Sequence, residues 1–285
     1  MCIYLPTEHS SIVPNIFYQL YTIHAFKNGQ CVFFFLPDKT EETYRNMFQH
    51  LIECCTDLQL ILNISCLHLD FEHATHNAAR AIWPEIDIKG CQFHLSQSCW
   101  RKVQSLGLAA EYKNPESNVG NWIKSFFGLS YLDPNDVEDC FAFDLFPCAL
   151  NVEKAHEFAD YILRNYIDQN SKFPPSVWAE PDLQFKRTTN GCESFHAKFA
   201  DMFYHSHPLK LNSHPPIFEF MERLKSVQTH SYLKIRASRH SVPSARKERE
   251  CLEKMREIRS QYEQGNIDRA NFVRKMAFKA LPPII

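Results

Sequence analysis

The chain has 285 residues, 45% of them hydrophobic, and a formal net charge of −2. This length suits one large domain with an insertion or two modest ones, and the apolar content excludes disorder as the default state. The near-neutral balance excludes bulk charge as an argument for nucleic-acid binding, so only local charge can carry one.

Residues 16–26 are rich in aromatic and β-branched types, Asn28-Gly29 follows, and an apolar run extends to Pro37. Two such runs around Asn-Gly predict a β-hairpin. Tyr44, Met47, Phe48, Leu51 and Ile52 recur at helical spacing, with Thr40 as the N-cap. Residues 64–71 read as a third strand and 72–83 as a helix with alanines on one face, closed by Pro84. Residues 86–94 read as a strand leading into a helix that starts near Leu95. This alternation predicts an α/β fold with helices packed on a mixed sheet.

From about 110 to 180 the apolar spacing is helical and no strand is expected. Further helices are expected over 190–204, capped by Asn190 or Thr189, over 215–234 with proline at the start, and from 244 onward. The expected parts are therefore 1–108, 109–180 as an all-α insertion, 181–232, and 233–285 as a charged helical tail.

Eleven scattered cysteines, with no leader-like start, read as reduced thiols in an intracellular compartment. No apolar stretch approaches the roughly 18 residues of a membrane helix. Seven glycines without a Gly-rich loop argue against a nucleotide-phosphate cradle.

Three clusters carry candidate chemistry. Asp70-Phe71-Glu72 ends a buried strand, where a carboxylate faces the ligand crevice of an α/β sheet; an acid there also suits a helix N-cap, and the two roles are compatible. Cys91 and His94 form a C-x2-H pair. With Cys192 and His196 they would make a Cys2His2 zinc set, although a buried thiol and a hydrogen-bonded core histidine account for the pair more simply. Glu193 falls in the first turn of a helix, where acids are favoured by the dipole, and His196 shares its face. Between Arg223 and Arg259 there are 11 Lys/Arg against 4 Asp/Glu. Within it Lys234, Arg236, Arg239, Arg246 and Lys247 are candidate phosphate contacts, while a solvated helix with i,i+4 ion pairs is the plainer alternative.

Taken in order, FYQLYTIHA, LPDKTEETY, DFEHA, GCQFHLSQSCWRK and TTNGCESFHAKF resemble the Mutator-like (MULE) transposases, from about residue 12 to about residue 230. The resemblance implies an RNase H-like fold with an all-α insertion before the last acid. It places the family's second catalytic Asp on Asp70, its catalytic Glu on Glu193 and its C-x2-H signature on Cys91 and His94, with Asn190 and His196 in support. It also implies Mg²⁺ or Mn²⁺ rather than zinc, because hard cations favour carboxylate oxygens. Transposon ends and target DNA are the implied partners, with self-association and a nuclear location, and no membrane. One element departs from the family. The first catalytic Asp, expected just before SIVP, is absent: Thr7 stands in its place and Glu8 one position later, turned to the opposite face of a strand. The chain is therefore expected to be a core truncated at its start or a decayed copy, with weak or no activity. The alternative is a non-catalytic DNA- or protein-binding module of the same descent.

Overall fold

In the computed structural model, residues 2–4, 13–25, 30–148, 152–183, 199, 201, 215–237 and 246–280 are described. The chain forms two compact units, Met1–Lys89 with Thr188–Ser241, and Gly90–Arg187 with Val242–Ile285. The fold is mixed α/β, with every described strand in the first hundred residues.

The first unit is built on the expected hairpin. β1 (Cys2–Tyr4), β2 (Gln19–Ala25) and β3 (Gln30–Leu36) form a sheet in the order β1-β2-β3, antiparallel throughout. Register pairs Ile3 with Ile23 and Tyr21 with Phe34. The Asn28-Gly29 turn lies outside the described residues. β1 lies beside β4 (Cys66–Leu69), which pairs with β5 (Asp87–Gly90).

Both faces of the three-stranded sheet are covered, and the two-residue period of a strand decides which side chain goes where. Tyr21, Ile23 and Leu36 face one core with α1 (Glu41–Asp57), α2 (His73–Ile82) and β4, where Tyr44, Phe48, Leu67 and Leu69 are fully buried. Leu20, Phe33 and Phe35 face a second core with Phe220, Leu224 and Val227, spaced along one stripe of α8 (Ile217–Ala237). α1 starts as expected, since the Thr40 hydroxyl accepts the N–H of Thr43 at 3.2 Å.

The second unit is helical among its described residues apart from Gly90, the end of β5. It holds α3 (Gln92–Ser105), α4 (Ala109–Lys113), α5 (Asn118–Gly128), α6 (Glu153–Ile162), α7 (Pro175–Trp178), α9 (Arg246–Glu263) and α10 (Arg269–Ala280). Two π-helical stretches, Cys140–Leu145 and Leu163–Ile167, interrupt the regular turns. Trp122 and Phe126 pack edge-to-face at 4.8 Å, and Phe126 meets Phe158 at 5.3 Å. α10 buries Phe272, Val273, Met276 and Ala277 and packs on α5, so this part of the charged C-terminal region is a core element of the unit. The contact requires Gly128, because a Cβ there would collide with the Val273 carbonyl.

The strand expected over 86–94 stops at Gly90. Leu95, Cys99 and Val103 are buried four residues apart, and a helix that presents them on one face begins at Gln92. Cys91 is thus a helix N-cap, and His94 lies in the first helical turn rather than on a strand.

Candidate functional site

Asp70 follows the last residue of β4 and is 7% exposed. Its Oδ1 accepts the N–H of Phe71 at 2.6 Å, which fixes the carboxylate at the strand tip. His76, on the first turns of α2, turns back and donates from Nε2 to the Asp70 carbonyl at 2.7 Å. Burial drives the His76 pKa down to about 4, so the ring is neutral at pH 7 and its proton sits on Nε2. The backbone on either side of Asp70 is held by β4 and by this imidazole.

Glu72, not Asp70, is the N-cap of α2, and its side chain makes no capping bond. The carboxylate turns toward the sheet instead. Gln19 Nε2 donates to the Tyr44 hydroxyl at 2.8 Å, and that hydroxyl donates to Glu72 Oε1 at 2.9 Å. Burial raises the Glu72 carboxyl above the ordinary carboxylate range; the Tyr44 bond and Lys39 oppose the rise, and the charge of Asp70 adds to it. Glu72 Oε2 and the buried Tyr21 hydroxyl have no hydrogen-bond partner among the described residues. Burial pushes the Tyr21 hydroxyl well up, with Tyr44, Glu72 and Asp70 contributing. The β4 tip therefore carries two carboxylates, Asp70 buried and Glu72 half-buried, with a relay behind Glu72.

The other expected residues divide into two groups. Cys91 is a fully buried thiol at the start of α3, and the His94 ring stands edge-on to Phe93 at 5.4 Å. These two belong to the second unit, whereas Asp70 and Glu72 belong to the first. Asn190, Cys192, Glu193, His196 and Arg239 lie outside the described residues, as do Thr7 and Glu8 and the side chains of Lys234, Arg236 and Lys247. Among the described residues no group of three His, Cys, Asp or Glu side chains is placed to hold a metal. The two carboxylates at the β4 tip are hard oxygen donors of the kind Mg²⁺ takes, and thus half of a cation site at most.

The described parts of the basic stretch lie on two helices, α8 and α9. Arg223 lies on α8 and pairs with Glu219 at 3.8 Å, while Arg246 opens α9 and pairs with Glu250 at 2.7 Å. Arg259 donates from Nη2 to the Tyr131 carbonyl at 2.5 Å and lies over the Phe272 ring at 5.2 Å. This half-buried side chain packs within the second unit.

Spacing did not reveal the Gln19–Tyr44–Glu72 relay. Its members are 25 and 28 residues apart, and Tyr44 reads as an ordinary core position of α1. A weak signal for His76 was available: it is a polar side chain on the alanine face of α2 and is 1% exposed.

No described helix is long and apolar enough to cross a membrane. No curated protein and no solved structure matches the chain. The family model of the MULE transposase domain matches residues 15–98, which contain the hairpin, α1, β4, the β4 tip and the start of α3. Over those residues the chain is similar to the MULE transposase domain.

Proposed function

We propose that the chain is a MULE-type transposase core of RNase H-like fold, in which Asp70 is one of the carboxylates that hold the catalytic cation. The observation that carries this reading is the position of Asp70: buried at the tip of β4, the strand that lies between β1 and β5. Three antiparallel strands with the β4–β5 pair beside β1, and an acid at the β4 tip, are compatible with that fold, and ligands gather at such tips. Asp70 and Glu193 would hold Mg²⁺ or Mn²⁺, which supplies charge stabilisation at a scissile phosphate. His76 fixes the Asp70 backbone. Tyr44 holds Glu72 away from the α2 N-terminus.

The core is impaired on this reading. β1 carries Cys-Ile-Tyr and no carboxylate, and Thr7 stands where the family's first Asp aligns. The same observation favours a second reading, a non-catalytic DNA- or protein-binding module of transposase descent. The first reading requires DNA binding, with transposon ends and target DNA as partners and the nucleus as the place of action. Duplex binding measured over a salt series tests this. The expected result is a log–log slope of several counterions; a flat salt response would contradict the transposase reading and leave a protein-binding module.

A further inference from the structure

A cavity of about 320 Å³ opens in the second unit between α5, the π-helical turn and α10. Asn118, Asn121, Trp122, Ser125, Leu145, Cys148 and Arg274 line it. That volume is near the lower end of the roughly 300–1,000 Å³ of small-molecule pockets. Its walls are of two kinds. Trp122 and Leu145 are buried and form an apolar side, with the indole fixed because Nε1 donates to the Leu145 carbonyl at 2.9 Å. The other side is polar. Asn121 is anchored by donation from Nδ2 to the Pro115 carbonyl at 2.8 Å, and Asn118 is the first residue of α5. Arg274 is exposed, forms no ion pair with a described carboxylate, and reaches Cys148 Sγ at 3.9 Å. A nearby arginine, Arg269, behaves differently, since Asp144 neutralises it at 2.5 Å.

This combination selects for a ligand that is flat and heteroaromatic at one end and anionic at the other. The apolar side shelters a ring. Asparagine amides carry both donors and acceptors and match the edge of a base. An unneutralised guanidinium matches a phosphate with two parallel hydrogen bonds. We propose that this cavity binds a single unstacked nucleotide, with the base between Trp122 and the two asparagines and the phosphate on Arg274. Such a nucleotide can be free or can project from a DNA strand, in the way that enzymes acting on single bases take them from the stack. Only the strand-borne source depends on the DNA-acting reading given above.

Cys148 at the rim provides the readout, because an occupant shields its thiol. The full chain is treated with iodoacetamide in the presence of dAMP, inorganic phosphate, a fully paired DNA hairpin, or the same hairpin with one unpaired adenosine. Site-resolved mass spectrometry follows Cys148, with Cys54, exposed on α1, as the internal control. The expected result is selective protection of Cys148 by the unpaired hairpin, by dAMP, or by both, and the pattern identifies the source. Arg274→Gln should weaken that protection about tenfold, the weight of one charge-assisted contact, with thermal melting unchanged because the side chain is exposed. Equal protection by inorganic phosphate would reduce the site to a plain anion site and overturn the proposal, as would the absence of protection by every probe. Anisotropy of the paired hairpin is measured alongside. Its failure to bind would count against the transposase reading while the dAMP result stands by itself.

Discussion

Acid should destabilise the first unit steeply, through three histidines. His24, His68 and His76 are 7%, 5% and 1% exposed, and burial lowers each pKa from 6.5 to about 4. The native state then binds fewer protons than the unfolded chain between those two values. The stability they contribute is complete above about pH 6.5 and is lost as the pH falls toward 4. One such group changes stability by about 1.4 kcal/mol per pH unit, and three acting together by up to about 4. Across two pH units that approaches the roughly 5–15 kcal/mol total of a typical domain. Urea unfolding followed by Trp83 fluorescence between pH 7 and 4.5 measures the effect, since Trp83 packs on Phe48 in the first core at 5.2 Å. His76→Asn should lower stability at pH 7, because the bond to the Asp70 carbonyl is lost, and should make the pH slope shallower by about one third. A stability that stays flat or rises from pH 6.5 to 4.5 would refute the reasoning.

Two substitutions examine the packing around the sites. Tyr44→Phe removes the hydroxyl between Gln19 and Glu72 and leaves a buried amide and a carboxylate oxygen without partners; a loss of about 1–3 kcal/mol is expected in chemical denaturation, and an unchanged midpoint would show that the relay contributes nothing. Gly128→Ala forces α5 away from the Val273 carbonyl; it should cost about 1–3 kcal/mol and lower the melting temperature, whereas a wild-type melting curve would contradict the close helix crossing.

Much of the first unit was legible because its signals are local. The hairpin, α1 with its Thr40 cap, β4 and α2 follow from runs, spacing and caps within a few residues of each other. β2 and β3 were recognisable as strands, but their apolar side chains serve two cores, and no alternation in the run distinguishes Tyr21 and Ile23 from Leu20. β1 has three residues, too few for a pattern. At Cys91 a short apolar run reads alike as a strand end or a helix start; the buried series Leu95, Cys99 and Val103 decides for the helix. Arg259 reads as surface charge because nothing in sequence places it against Tyr131 and Phe272. Asp70 was legible as a strand-tip acid. Its supports were not, since Tyr44 reaches Glu72 only through the tertiary fold.

Divalent-metal-dependent cleavage of a DNA hairpin tests the account most directly, with four proteins compared: wild type, Asp70→Asn, Thr7→Asp, and the double variant. Wild type and Asp70→Asn are expected to be equally inert, Thr7→Asp to gain Mg²⁺- or Mn²⁺-dependent cleavage, and Asp70→Asn to abolish this gain. Ordinary cleavage by the wild type, or a Thr7→Asp protein as inert as its parent, would contradict the account.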